Sequence, residues 1–161
     1  MIRQATAADM PQILAIFNYN IVHSTAIYMY EEQTLEQRMA WFEGKMAAGE
    51  PLFVYVEGDT VYGYATYGSF RPYPAYLYTI EHSVYVHNDH QQKGVAKQLM
   101  HDLIAHARTA GMKTMVAGID GENSGSILAH EKLGFTHSGT IRNAGYKFER
   151  WLHLAFYQLD L

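Results

Sequence analysis

Cysteine is absent from the chain. That excludes disulfides, thiolate metal sites and a thioester formed on the protein itself; if the chain transfers an acyl group, the acceptor would attack the donor directly. Long apolar runs are also missing. Nothing approaches the ~20 apolar residues of a membrane span, and the opening MIRQATAADM lacks a signal-peptide core. A cytoplasmic protein without membrane contact is expected. Positive charge is scarce, with 12 Lys and Arg against 16 Asp and Glu; a nucleic-acid partner would require a basic stripe. His82, His87 and His90 lie close in sequence but show no helical ligand spacing and no neighbouring ligand set, so no metal is expected.

What remains fits one domain spanning residues 1–161. Apolar residues make up 48% of the chain, enough for a core, and a charged fraction of 17% argues against disorder. Tyrosine is abundant, with 13 copies, several of them between Tyr55 and Tyr85, where they suit half-buried strands.

The pattern starts with a short strand at 2–5 and a helix capped at Thr6, with Pro11 tolerated in its first turn and Ile13, Leu14, Phe17 and Ile21 at helical spacing. Thr34 with Gln37 forms a capping box for a second helix, whose stripe is Leu35, Met39, Phe42 and Met46 and which ends at Gly49 and Pro51. LFVYVE, a Gly58-Asp59 turn and VYGYATYGS read as a hairpin. The loop FRPYPA follows, then a long strand over 76–87 with Tyr76, Tyr78, Ile80, His82, Val84 and Val86 on one face. A third helix carries Val95, Leu99, Leu103 and Ala107 and stops at Gly111. TMVAGI is a buried strand, IDGENSG a loop, and Ser126–Leu133 a short helix closed by Gly134. The tail supplies one or two more strands. The order implies one α/β domain with a mixed sheet.

The chemistry concentrates in VYVHNDHQQKGVAKQLM. A strand runs into a polar turn, and Gly94 and Ala96 stand where a helix begins. Small residues there let backbone N–H groups approach an anion, and the helix N-terminus adds positive potential. A pyrophosphate fits; so does an ordinary strand–helix loop.

Gln91-Gln92-Lys93-Gly94-Val95-Ala96 resembles the pyrophosphate loop of the GNAT N-acetyltransferases, written Q/R-x-x-G-x-G/A. With EHSVYVH before it, NSGSILAHEKLGF after it and KFERWLHLAFYQL at the end, residues 2–160 resemble the phosphinothricin and methionine sulfoximine/sulfone acetyltransferase branch. The resemblance implies a twisted, largely antiparallel mixed sheet of about six or seven strands flanked by about four helices. It also implies acetyl-CoA as donor, a small amino-acid-like amine as acceptor, and a homodimer with pockets near its interface.

By the same resemblance, the loop amides of Gln91, Gln92, Lys93, Gly94, Val95, Ala96 and Lys97 hold the pyrophosphate. Val84, Tyr85 and Val86 hydrogen-bond the pantetheine arm and polarise the acetyl carbonyl. Asn123 either bonds that arm or caps the short helix. Lys132 either meets the cofactor phosphates or is solvated. Glu81 matches the family's catalytic glutamate; a carboxylate in an aromatic cleft with a raised pKa can take a proton from an ammonium, whereas an exposed strand carboxylate would do nothing. His130 stands where most relatives have a tyrosine, and either protonates the leaving thiolate or positions CoA. Arg71 is the only cation of the FRPYPA loop and suits a substrate carboxylate, with Tyr73, Pro74, Ala75 and Tyr78 around it. Some relatives carry a second arginine where this chain has Tyr73, which weakens the case for phosphinothricin. Acetylation of protein N-termini or lysines, and a CoA-binding module without activity, are the competing functions.

Overall fold

Capping chemistry sets the first two helices in the computed structural model, which describes residues 1–161. The Asp9 carboxylate accepts the Thr6 N–H and both ends of the Arg3 guanidinium, each at 2.8 Å. It thereby tightens a 3-10 turn at Ala7–Asp9 before α1 (Met10–His23). In α2 (Leu35–Ala47) the capping box is complete: Gln37 N–H donates to the Thr34 hydroxyl and Thr34 N–H to the Gln37 side chain. Two further helices follow, α3 (Val95–Thr109) and α4 (Ser124–Lys132).

The strands are β1 (Ile2–Gln4), β2 (Leu52–Glu57), β3 (Thr60–Ser69), β4 (Thr79–Val86), β5 (Thr114–Asp120), β6 (Thr136–Lys147) and β7 (Arg150–Asp160). They form one sheet in the order β1-β2-β3-β4-β5-β7-β6. Every neighbouring pair is antiparallel except β4 with β5. That parallel pair meets only between Thr79–Glu81 and Thr114–Val116. Beyond it the two strands part.

Strand alternation divides the core. Ala65 and Tyr67 of β3 pack with Leu99, Leu103 and Ala107 of α3, while Tyr64 joins Ile13 and Ile16 of α1 on the other side. The sequence pattern holds for α3, whose four stripe residues are all buried.

Two expectations change. The strand at 76–87 is shorter, because Pro74 opens a 3-10 turn at 74–76 in which Tyr76 N–H bonds the Tyr73 carbonyl. Tyr76 and Tyr78 are therefore exposed and outside β4, although the alternation from Ile80 onward keeps its phase. In α2, Leu35 is exposed, and the most deeply buried side chain is a charged one, Arg38.

Lys147, at the end of β6, is also buried. Its ammonium donates to the Ser24 carbonyl at 2.8 Å and the Ile27 carbonyl at 2.7 Å, pinning the segment after α1 to the sheet. Removing that donor strands two carbonyls. Lys147→Met should lose about 2–4 kcal/mol of stability in urea unfolding, and loosen the segment that carries Thr25 and Tyr28. A variant as stable as wild type would show that water replaces the ammonium.

Candidate active site

The parting of β4 and β5 opens a cleft of about 260 Å³. Glu81, Ser83 and Tyr85 approach from β4, and Ala117, Gly118 and Asp120 from β5. Asn123, Ser126 and His130 close one end, and Thr25, Ala26 and Tyr28 another. Glycines make room for the side chains. A Cβ on Gly118 would lie 3.5 Å from Glu81 Oε2 and 3.3 Å from Leu154 Cδ1, and one on Gly145 would lie 2.7 Å from the Tyr28 ring. Burial pushes the Glu81 carboxyl above its ordinary range.

A second groove of about 490 Å³ runs between α3 and α4 and shares Val84 and His130 with the cleft. Ala96, Lys97 and Lys132, all singled out from the sequence, line it, together with His101 and Arg108. At its head Gly94 caps α3 with φ +77°, and Gln92 has φ +62°. Glycine is the residue that adopts this left-handed geometry without strain, leaving the helix N-terminus open. Val95 differs from its loop neighbours in that its side chain is buried in the core. Gln91, Gln92 and Lys93 are exposed on the turn. Between Glu81 and the turn, β4 has β3 on one side and no strand on the other. An open strand edge offers backbone groups to an extended, amide-bearing chain. The groove, the open edge and the helix N-terminus together fit the pantetheine and pyrophosphate of acetyl-CoA.

Asn123 caps α4, with its side-chain oxygen accepting the Ser126 N–H at 3.1 Å, and it also faces the cleft. Both uses read from the sequence are compatible with this position.

His130 has a buried partner that the sequence did not single out. His82 Nε2 lies 3.0 Å from His130 Nε2, while His130 Nδ1 lies 2.7 Å from the Ser126 carbonyl. A carbonyl only accepts, so Nδ1 of His130 carries the proton and its Nε2 accepts from His82 Nε2–H. Nδ1 of His82 is then a buried acceptor without a donor. Burial, with the charge of His130 adding to it, pushes His82 down to about 3; burial also pushes His130 below its ordinary value, against the pull of the Ser126 carbonyl. The pair is neutral at neutral pH. Both ring nitrogens of His130 are thus engaged within the protein, Nδ1–H with the Ser126 carbonyl and Nε2 with His82.

The FRPYPA loop stays apart. Arg71, Tyr73, Pro74, Ala75 and Tyr78 are exposed, and none of them lines the cleft; the Arg71 guanidinium lies over the Phe70 ring. Conversely, Thr25, Tyr28, Ser83 and Asp120 belong to the cleft without having been read from the sequence. Their only signal is a topology that brings three distant segments together.

The histidine pair makes stability pH-dependent. A histidine kept neutral in the fold but free to protonate at about 6.5 when unfolded stabilises the fold above that pH and loses the contribution as pH falls, by up to about 1.4 kcal/mol per pH unit. The raised carboxyl of Glu81 acts in the opposite sense, its penalty easing as pH falls toward its ordinary 4.5, and offsets part of the loss from the two imidazoles. The lowered carboxyls of Asp9 and Asp120 act only further down, below their ordinary 3.8. Melting temperature should therefore fall between about pH 6.5 and about 4.5, and His82→Gln, which keeps a donor for His130 but does not titrate, should flatten that slope. An unchanged slope would place the proton uptake elsewhere.

Comparison with known proteins agrees with this geometry. The acetyltransferase (GNAT) domain family matches residues 2–155. The L-methionine sulfoximine/L-methionine sulfone acetyltransferase of Salmonella typhimurium is 42% identical over 160 residues, which are 99% of this chain and 94% of that protein. An acetyltransferase of Salmonella typhimurium solved with its cofactor acetyl-CoA superposes with a TM-score of 0.97 at 42% identity, over 100% of this chain and 93% of that one. A ribosomal-protein-alanine N-acetyltransferase of Brucella melitensis superposes with a TM-score of 0.98 at 38% identity, over 100% and 99% of the two chains. Its α/β fold, a seven-stranded sheet with four helices, and its sequence together make this chain a member of the GNAT acetyltransferase family.

Proposed function

We propose that the chain is a single acetyltransferase domain, residues 1–161, that moves the acetyl group of acetyl-CoA to the primary amine of a small amino-acid-like substrate. L-Methionine sulfoximine and L-methionine sulfone are the first candidates, being the acceptors named for the Salmonella relative. One observation carries the reading: Glu81, its carboxyl raised by burial, lines the cleft whose far end opens through Val84 and His130 into the groove between α3 and α4.

An alkyl amine arrives as ammonium, with a pKa near ~10. Glu81 takes its proton, directly or through water. The neutral nitrogen then attacks the acetyl carbonyl carbon. Backbone N–H groups of Val84 and Val86, which face the open edge of β4 while that of Tyr85 faces β3, polarise the carbonyl oxygen and hold the pantetheine arm. The nitrogen of the tetrahedral adduct gives its second proton through water to the departing sulfur as the carbon–sulfur bond breaks, and CoA leaves as the thiol. A thiol of pKa near ~8.5 needs little help in leaving, which agrees with a His130 whose protons are committed elsewhere. His130 therefore positions the donor. Gln91, Gln92, Lys93, Gly94, Val95, Ala96 and Lys97 hold the pyrophosphate, Asn123 the pantetheine arm, and Lys132 the outer phosphates.

Protein N-terminus acetylation is the second reading, and the name of the Brucella neighbour favours it. A cleft of about 260 Å³ suits one amino acid better than a peptide. Acetyl-CoA consumption with methionine sulfoximine, methionine sulfone, phosphinothricin, polyamines and peptides separates the two. The reading includes a cytoplasmic homodimer. Its donor is a cytoplasmic metabolite, and the β6–β7 end exposes Tyr146, Phe148 and Trp151, as an interface would. Sedimentation of the purified chain tests the assembly.

Two substitutions test the site. Glu81→Gln should bind acetyl-CoA normally and lose on the order of 10²–10⁴ in turnover. Part of that loss should return as pH rises and more amine is already neutral; wild-type turnover at neutral pH would exonerate Glu81. Gly94→Asp puts a negative charge at the head of α3 in a backbone conformation that disfavours it. Acetyl-CoA affinity measured by calorimetry should collapse while the fold survives, and unchanged affinity would move the pyrophosphate elsewhere.

A further inference from the structure

A third cavity, about 240 Å³, lies on the α1–α2 side of the sheet and shares Glu81, Ser83 and Tyr85 with the cleft. Arg38 lines it. This arginine is 3% exposed, with its guanidinium 3.9 Å from the Phe17 ring centre and 4.0 Å from that of Trp41. Its Nε and Nη2 both donate to Gln33 Oε1, at 3.2 and 2.6 Å. Nη1 has no acceptor in the protein, and no carboxylate lies within 4.0 Å. Tyr64, 1% exposed, lines the same cavity, and its hydroxyl has no hydrogen-bond partner.

A buried cation without a counter-charge and a buried hydroxyl without a partner are each costly. Two polar groups of the cavity are engaged elsewhere: Lys45 donates to Glu50 and to the Tyr67 carbonyl, and the Thr66 hydroxyl to the Pro51 carbonyl. Lys147, the chain's other buried cation, directs its ammonium at two carbonyls. Arg38 and Tyr64, close enough for each to act on the other's ionisation, line an open volume together with Glu81, Ser83 and Tyr85.

The charges have an order. A carboxylate stands where the cavity meets the cleft and a guanidinium lines the cavity beyond it, complementary to a zwitterion whose ammonium meets Glu81. We propose that Arg38 and Tyr64 form the subsite for the carboxylate of an α-amino acid acceptor. The inference rests on the proposed acetyltransferase reading and deepens it. It moves carboxylate recognition from the exposed Arg71 to a buried arginine that the helical pattern of α2 concealed.

The test compares L-methionine sulfone with the amine obtained by removing its carboxyl group, in wild type, Arg38→Met, Arg38→Lys, Tyr64→Phe and Arg71→Ala. Wild type should favour the amino acid. Arg38→Met should raise KM for the amino acid more than about tenfold, as expected for losing a charge-assisted contact, and leave the KM of the amine nearly unchanged. Arg38→Lys should recover part of the preference, and Tyr64→Phe should reduce it several-fold. Acetyl-CoA affinity should stay constant throughout. Equal KM changes for both substrates, or a preference lost in Arg71→Ala and kept in the Arg38 and Tyr64 variants, would overturn the subsite. If Arg38→Met does not fold, Tyr64→Phe, which keeps the ring, decides alone. Acetylation of neither amine by wild type, with acetyl-CoA still bound, would sink the substrate reading on which the subsite stands.

Discussion

The short contact between β4 and β5 is the constraint on which the site depends. Parallel pairing holds for Thr79–Glu81 against Thr114–Val116 and then stops, although both strands continue. Had pairing gone on, the backbone edge of Val84–Val86 would be occupied and the cleft filled by two neighbouring strands. Its loss has three effects at once. Glu81, the last paired residue of β4, ends at the mouth of an opening. The next residues of β4 present a free edge to a donor. The chain then reaches the N-terminus of α3 a few residues later, so that phosphate, amide arm and acetyl group can be held along one line.

The three cavities follow the same line. The groove between α3 and α4 meets the cleft at Val84 and His130, and the cleft meets the Arg38 cavity at Glu81, Ser83 and Tyr85. In the proposed reading, donor and acceptor would approach from opposite faces of the sheet and meet where β4 and β5 part. Direct transfer needs this arrangement: a chain without cysteine offers no thiol on which an acyl group could wait.

The sequence made the regular elements legible because each is specified locally. The Thr34–Gln37 box, the stripe of α3 and the glycine at its start depend on residues within a few positions of one another. The polar turn before α3 was legible for the same reason, whereas Glu81 was singled out through the resemblance to the GNAT family. Other features were not local. Pro74 reads as a loop residue, yet it also takes Tyr76 and Tyr78 out of β4 by opening a turn that hydrogen bonds complete. His82 alternates correctly as an inward residue, but nothing nearby announces that His130, forty-eight positions later, meets its ring. Arg38 is the sharpest case. A charged residue on an amphipathic helix reads as solvent-facing, and only the packing of Phe17 and Trp41 on its two faces shows otherwise.

Burial acts in one direction across the whole centre. It raises the carboxyl of Glu81 and lowers the imidazoles of His82 and His130, in each case favouring the neutral form. Asp120 is the exception among the cleft carboxyls, since hydrogen bonds from Thr25 and the Glu122 N–H, with Arg150 nearby, outweigh its desolvation and keep it ionised. Glu81 has no such partners, so an incoming ammonium meets a buried carboxylate that gains from its positive charge. Arg38 is a second exception, since a guanidinium does not give up its proton in a protein. A permanent cation held between aromatic rings beside groups driven toward neutrality sets up a field across the cleft. For the zwitterionic acceptor proposed above, that field would favour one orientation: carboxylate toward α2, amine toward Glu81 and the donor beyond it.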